Sequence, residues 1–425
     1  MTSSVPRPRT PSIEVIQPLE RRSGRRIALY SHDSQGLGHV RRNSLLAAAL
    51  VDARPDVDVL LLSGAPEVSA LPLPPRTEVV KIPSLAKDSA GVYGARSLRC
   101  SLEELVSMRT AILAGALTSF APDLLIVDKT PRGAFGELDE VLPLLRQTHD
   151  TRTVLGLRDV LDDVNATEKE WQAARTTEAI RTLYDQVWVY GDPRLFDTAA
   201  EYGWSAETRQ KVVYTGYLAL DRDRLLPDIP EENTRAAAFE PRRTPFVLGL
   251  VGGGQDGAHV ARAFAEARYP TGHEGVLVTG PYAPVELLED LTRTAAERPD
   301  LQVARIASNV PSLVSRSSAT VSMGGYNSTC ELMAGGRPAL LVPRTHPRKE
   351  QALRAARLAA HGLADVQDAD DLTPEALSRW FEGAVSRGSI THDIDLAGLR
   401  RLPELVDHVL GDDTAPEEAP RDIVV

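Results

Sequence analysis

Glu331, Glu350 and Gln351 sit just behind two breaks in the apolar stretch Ala319 to Gly362, a placement suited to binding hydroxyls beside an anion. The first break is Gly324-Gly325, which permits a tight turn, followed by Asn327 and Ser328, either of which can cap a helix. Free N–H groups at such a helix start, backed by the helix dipole, attract phosphate. One turn on, the Glu331 carboxylate can accept both hydroxyls of a ribose; equally, Ser328-Thr329-Cys330-Glu331 fits a capping box in which Glu331 bonds back to the Ser328 N–H. Residue types alone leave both open. The second break runs from Pro343 to Pro347, where a helix is expected to open with Glu350 and Gln351 in its first turn and to stop at Gly362. Arg344, His346 and Arg348 precede it, a basic patch for a diphosphate or an anionic sugar, or a merely solvated turn.

A second constellation lies near the start of the chain. Gly36-Leu37-Gly38-His39-Val40-Arg41 has the first two glycines of a dinucleotide fingerprint but Arg41 in place of the third, and no acidic residue ends a second strand at the required distance. A nicotinamide or flavin dinucleotide is therefore not expected. Neither glycine-rich cluster carries the Lys-Ser/Thr of a phosphate-binding P-loop, and no His-Glu-x-x-His or Gly-x-Ser-x-Gly occurs. Asp-x-Asp pairs (Asp56/Asp58, Asp221/Asp223, Asp368/Asp370, Asp393/Asp395) do not end apolar strands, so no essential metal is expected.

The elements that must position these residues are legible as a rhythm. Short apolar runs alternate with amphipathic stretches: Ile27 to Tyr30, Val57 to Leu62, Glu78 to Ile82, Leu124 to Val127, Thr153 to Leu157, Gln186 to Tyr190 and Val212 to Tyr214. This is the βα alternation of a parallel sheet. It lapses into charge, Pro and Ala between Leu220 and Thr244, then restarts with Phe246 to Val251, Val276 to Thr279, Gln302 to Ile306, Ala319 to Met323 and Pro338 to Val342. Each half opens with a strand running into glycines and then a helix, the second through Gly252-Gly253-Gly254-Gln255-Asp256-Gly257. The predicted fold class is α/β, with two facing Rossmann-like domains and a cleft between them. The expected divisions are a disordered tail 1–25, a first domain 26–220, a linker 221–244, a second domain 245–410 and an acidic tail 411–425.

Composition bounds the partners. The 425 residues carry 59 acidic against 48 basic side chains, a formal charge of −11, which argues against nucleic acid as partner. Two unrelated cysteines, Cys100 and Cys330, offer neither a zinc spacing nor a disulfide framework. With no apolar run long enough to span a membrane and no signal-peptide core, a cytoplasmic protein is expected. Apolar Leu102 to Leu117 and the arginines of the first 25 residues leave room for peripheral contact with a membrane's inner face, although at helical spacing the first is more often core and the second more often a solvated tail.

The motifs Gly-Gly-x-x-Ser-x-x-Glu-Leu at Gly324, Gly-x-Pro before the strand ending at Pro343, and Gln351 opening an Ala-rich helix resemble the donor half of GT-B glycosyltransferases. The likeness is to the family that attaches N-acetylglucosamine in making lipid II and to predicted glycosyltransferases related to it. The resemblance implies a nucleoside-diphosphate sugar as substrate and no other cofactor. It assigns Glu331 to the ribose, Glu350 and Gln351 to hydroxyls of the donor sugar, and Gly253, Gly254 and Gln255 to the donor phosphates, with Gly254 where the family often has Ser. Asn309 and Val310, within Ser308-Asn309-Val310, fall where that family's backbone reads the base, although a loop opening a helix at Pro311 looks the same. Tyr214-Thr215-Gly216-Tyr217 matches the turn that closes the family's first domain, and Asp128-Lys129-Thr130-Pro131 ends a strand facing the cleft.

On the acceptor side the resemblance matches Gly38-His39, with Gly36, to a glycine-rich turn. An imidazole there suits a base that takes the acceptor's proton as the anomeric carbon is attacked, or it simply orients the turn. Asp33 and Asp159 are further strand-end carboxylates able to do that job. Arg41 and Arg42 are placed for a diphosphate or an anionic acceptor, or for solvent. Retaining enzymes of this fold carry a second Glu eight positions before the ribose-binding one; here that residue is Met323, which favours an inverting displacement. The rivals are a nucleotide-sugar epimerase on the same fold and a non-catalytic nucleotide-sugar-binding protein, and the acceptor, small or lipid-linked, is left open.

Overall fold

The structure is a computed structural model that describes residues 24–32, 38–66, 68, 72–87, 92–225, 239–242, 245–254 and 256–412. The strands of the first half are β1 (Arg25–Ser31), β2 (Val57–Ser63), β3 (Thr77–Lys81), a small antiparallel hairpin of β4 (Leu85–Lys87) and β5 (Tyr93–Ala95), then β6 (Leu124–Asp128), β7 (Arg152–Arg158), β8 (Gln186–Tyr190) and β9 (Val212–Tyr214). All but the hairpin form one parallel sheet in the order β3-β2-β1-β6-β7-β8-β9. The second half has β10 (Phe246–Leu250), β11 (Glu274–Val278), β12 (Leu301–Ala304), β13 (Ala319–Ser322), β14 (Ala339–Leu341) and β15 (Asp365–Val366), parallel in the order β12-β11-β10-β13-β14-β15. Strands covered on both faces read as unbroken apolar runs, which is why the rhythm is visible in the sequence. The hairpin strands and β15 are too short to carry an alternation.

Each sheet changes direction once. In the first the order reverses between β1 and β6, in the second between β10 and β13. Beyond the carboxyl ends of the strands at such a point, the outgoing loops diverge and leave a crevice. Helix Gly38–Ala53 is the next described element after β1, Asp128-Lys129 leaves β6, the Gly252 turn leaves β10 and the Gly324 turn leaves β13. Sheet topology alone therefore converges the four motifs on one cleft.

Three apolar clusters hold the layers. One covers the outer face of the first sheet (Leu113, Leu125, Leu155, Trp204), another that of the second (Phe264, Leu291, Leu340, Phe381). The third is continuous through both halves, from Ile27, Leu46 and Leu50 by way of Tyr217 and Leu399 to Leu248, Tyr326 and Leu341. Helix Gly398–Leu410, sequentially the end of the expected second domain, makes that continuity by crossing back to pack on helix Gly38–Ala53. Leu218 bridges Ala397, the Tyr217 N–H donates to the Asp395 carbonyl at 2.8 Å, and Arg25 pairs with Asp407 at 2.7 Å. The crossing helix lies within the span expected for the second domain, and Arg25, expected in the tail, is the first residue of β1. Of the expected tails and linker, residues 1–23, 226–238, 243–244 and 413–425 lie outside the described residues; Arg222–Leu225 forms a short helix.

Candidate active site

The first-domain wall is built at its switch point. Helix Gly38–Ala53 places His39 so that its Nδ1 lies 2.5 Å from Asp128 Oδ2 at the end of β6. Arg42, one turn along, donates to Asp128 Oδ1 and Oδ2 at 2.5 and 2.6 Å, and it packs between the Tyr190 and Tyr326 rings, 5.8 Å from each centroid. Burial would raise the Asp128 pKa, but Arg42 and His39 outweigh it and hold the group well below the usual carboxylate range. An ionised Asp128 must receive a proton from Nδ1, which rules out the tautomer in which Nδ1 accepts from Arg42 at 2.9 Å. Nε2 is thereby left as the basic nitrogen. His32, whose ring centroid is 5.6 Å from that of His39, is pushed down to about 3, by burial first and then by His39 and Lys129, and stays neutral. Arg42 is 2% exposed and spent on Asp128, so it serves neither solvent nor a diphosphate. Asp33 and Gly36 lie outside the described residues.

The second-domain wall is built from two glycine turns. At Gly254, φ is +90°, and a Cβ would stand 2.5 Å from the Thr279 carbonyl and 2.7 Å from the Ala283 nitrogen, so only glycine lets this turn nest on the next loop. Gly253 is exposed beside it, its carbonyl accepting from the Tyr282 N–H at 2.9 Å; Gln255 lies outside the described residues. After β13, Gly324 takes φ +73° and Gly325 is the N-cap of helix Tyr326–Gly335. Neither Asn327 nor Ser328 caps this helix, and Glu331 sits in its second turn, so the capping box is not formed. The N-cap is a glycine, so the first-turn N–H groups receive no side-chain cap.

Asn327, expected as a cap, and Glu331, expected in the capping box, both turn to the opposite half. Asn327 Nδ2 donates to the Gly38 carbonyl at 3.2 Å, so the two helix starts face each other across the cleft. Glu331, 3% exposed, accepts from Arg41 at 3.1 Å and from the buried Arg222 at 3.3 Å. Arg222 also donates to Asn327 Oδ1 at 3.1 Å; its place in a charge-rich connector gives no hint of this. Ser328 is half-buried at the same turn. Asn309 does not face the cleft in this way. Its side chain accepts from the Phe239 N–H at 2.9 Å and donates to the Phe239 carbonyl at 3.0 Å, tying the linker to the second domain, while Val310 begins a helix and is buried in the shared core.

A third group of contacts closes the cleft at helix Glu350–Ala360, which begins at Glu350, three residues after Pro347. Asp159, expected as an acceptor-side base, is fully buried, with its carboxylate held by Arg354 at 2.7 Å and by the Tyr217 hydroxyl at 2.8 Å. Both oxygens are engaged, so it acts as an interdomain clamp and has no access to an acceptor hydroxyl. Arg354 also donates to the Gly324 carbonyl at 3.2 Å, linking clamp to turn. Glu350 meets Arg158 at 2.7 Å and Arg344 at 3.4 Å; burial raises its pKa, but Arg158, Arg354, Lys129 and Arg344 prevail and bring it to about 2. Gln351 Oε1 accepts from the Arg344 N–H at 3.1 Å, Arg344 pairs with Asp256 at 2.5 Å, and Arg348 reaches Asp162 and Glu170 at 3.3 and 3.1 Å. Residue type alone does not single out Asp128, Lys129, Arg158, Arg222 or Arg354; the strand-end position of Asp128-Lys129 is the one signal.

Residues 250–386, the span that holds both glycine turns, Glu331, Glu350 and Gln351, match the family described as "Glycosyltransferase family 28 C-terminal domain". The chain carries that domain on a GT-B fold. Beyond the family 28 domain, curated relatives are the UDP-N-acetylglucosamine--N-acetylmuramyl-(pentapeptide) pyrophosphoryl-undecaprenol N-acetylglucosamine transferases. That of Bartonella bacilliformis is 38% identical over 78 residues, 18% of this chain and 21% of that protein. That of Corynebacterium efficiens is 31% identical over 116 residues, 27% of each. The chain thus spans about a quarter or less of the length of these relatives. Solved structures share the whole fold: CalG4, the calicheamicin glycosyltransferase, has a TM-score of 0.55 at 16% identity, covering 92% of this chain and all of that one. A structure described as a UDP-N-acetylglucosamine 2-epimerase from Listeria monocytogenes has a TM-score of 0.57 at 10% identity, covering 93% and 99%. The fold by itself does not separate transfer from epimerisation.

Proposed function

We propose that this chain is an inverting, metal-independent glycosyltransferase that moves a sugar from a nucleoside-diphosphate donor to an acceptor hydroxyl. The observation that carries the reading is the His39–Asp128 pair facing the start of helix Tyr326–Gly335 across the cleft. In this reading the acceptor oxygen attacks the anomeric carbon while its proton passes to His39 Nε2. Asp128 stabilises the imidazolium that forms. The bond from the anomeric carbon to the diphosphate breaks, and its electron pair leaves on the diphosphate oxygen. That charge is met by the first-turn N–H groups after Gly325 and by Arg41. Met323, 6% exposed at the end of β13, puts an apolar side chain where a retaining enzyme has its second Glu.

The names of the curated relatives support a uridine nucleotide as donor and a lipid-linked acceptor. Exposed Val92, Leu98, Met108 and Phe135 on and beside the hairpin of the first domain suit peripheral contact with a cytoplasmic membrane face. No helix among the described residues is long and apolar enough to cross a membrane.

The test combines nucleotide binding with product analysis. A thermal-shift panel of UDP, dTDP and GDP is expected to show stabilisation by one, about 2.7 kcal/mol at a hundredfold excess over Kd. Acceptor-dependent nucleotide release, unchanged by EDTA and yielding a product of inverted anomeric configuration, is the expected activity. Conversion of the nucleotide sugar with no acceptor present would instead identify the epimerase, and absence of any nucleotide response would end the donor-pocket reading.

A further inference from the structure

At the sugar end of the cleft, beside Glu350, the Lys129 ammonium makes no hydrogen bond or ion pair among the described residues. The charges that act on it come from both halves: Arg158 and Glu170 from the first, Arg348 and Glu350 from the second. Lys129 holds φ at +67°, an unfavourable conformation for a side chain of this size. It follows Asp128 directly, so the strand end that orients the base also delivers this cation to the cleft.

The surrounding carboxylates are already taken. Glu350 is shared by Arg158 and Arg344, and Arg348 is met by Asp162 and Glu170. The Nε–H groups of Arg158 and Arg344 are buried without an acceptor among the described residues. Buried donors left unsatisfied are costly, and two of them, on the arginines that share Glu350, together with the Lys129 ammonium leave this corner with N–H groups that ligand oxygens can satisfy. Burial first, and then Arg158 and Arg348, push the Lys129 ammonium down to about 8 against the opposing pull of Glu170 and Glu350.

We propose that the donor sugar carries a negative charge, a carboxylate as in a hexuronate, and that Lys129 with Arg158 recognises it. This rests on the glycosyltransferase reading, in which Glu350 and Gln351 mark where the sugar lies. A neutral sugar offers this corner only uncharged hydroxyl oxygens, whereas a carboxylate supplies two charged acceptor oxygens and forms the stronger, charge-assisted bonds with the ammonium.

The experiment compares matched neutral and uronate sugars, glucose and glucuronate, on whichever of UDP, dTDP or GDP gives the largest thermal shift. The uronate is expected to bind at least tenfold tighter than the neutral sugar at pH 7. Lys129→Met should remove about tenfold to a hundredfold of that preference, leave the shift with the nucleoside diphosphate alone unchanged, and be rescued in part by Lys129→Arg. With Arg158 and Arg348 charged and Glu170 and Glu350 ionised throughout, the preference should decline between pH 7 and 9 in the wild type and not in Lys129→Arg. Equal affinity for the two sugars overturns this inference while leaving the donor pocket standing. If Lys129→Met weakens both sugars and the bare nucleotide alike, Lys129 serves the diphosphate and the inference also fails. No response to any nucleotide sinks both readings together.

Discussion

His39 owes its proposed chemistry to Asp128, a residue 89 positions away that fixes which ring nitrogen is free. His39→Gln is expected to lower turnover by about a hundredfold to ten-thousandfold while nucleotide binding and thermal stability stay near wild type. Asp128→Asn should lower turnover as well, because an amide neither enforces the tautomer nor balances the imidazolium; turnover equal to wild type in both variants would remove the dyad from the mechanism. Glu331 presents a different case. Its two arginine partners make it an interdomain contact, so Glu331→Gln should destabilise by about 1–3 kcal/mol through the partly unpaired Arg222. Its ribose role predicts a separate loss of nucleotide affinity, read by titration at a temperature where the variant is fully folded.

At the scale of elements, the site depends on turns that only glycine can make. Gly254→Ala sets a Cβ against the backbone of Thr279 and Ala283, and should cost more than about 1 kcal/mol in denaturant unfolding, since the native φ is positive. Nucleotide affinity should fall with it, because the turn and the start of helix Ala258–Glu266 shift together. These turns are legible in the sequence: Gly252 to Gly254 and Gly324-Gly325 follow apolar strands directly, and a tight turn there needs glycine whatever the rest of the fold does. The cap is not legible. Ser328 and Glu331 have the spacing of a capping box, but the N-cap is Gly325, three residues earlier, and the helix begins at Tyr326, whose ring is buried between Arg42, Arg354 and Tyr217. Tertiary packing overrides a local preference worth about 1 kcal/mol.

For the whole molecule, the two halves are held by buried ion pairs as well as by the core that helix Gly398–Leu410 makes continuous. Arg354→Met leaves Asp159 buried without its cation, and should destabilise by about 3–5 kcal/mol and increase proteolysis between the domains; an unchanged unfolding curve would show that the clamp contributes nothing. Acid should act on the same seam. Glu350 has its folded pKa lowered to about 2 from an ordinary 4.5, so its contribution is complete above about pH 4.5 and is lost as the pH falls toward 2, measurable as a declining unfolding midpoint across that window.

The two βα halves, the turns between strand and helix, and the residues that line them are all legible along the chain, because apolar runs, glycines and helix starts act through neighbours in sequence. Which charges meet is not legible in this way. Arg41 and Glu331 are 290 residues apart, and Arg354 and Asp159 are 195 apart. A carboxylate at a strand end is equally fit to be a base or a clamp until the facing domain is in place. Only the tertiary structure gave Asp159 to Arg354 and Asp128 to His39, and left Lys129 without a partner among the described residues, because burial and distance decide what an ionisable group does.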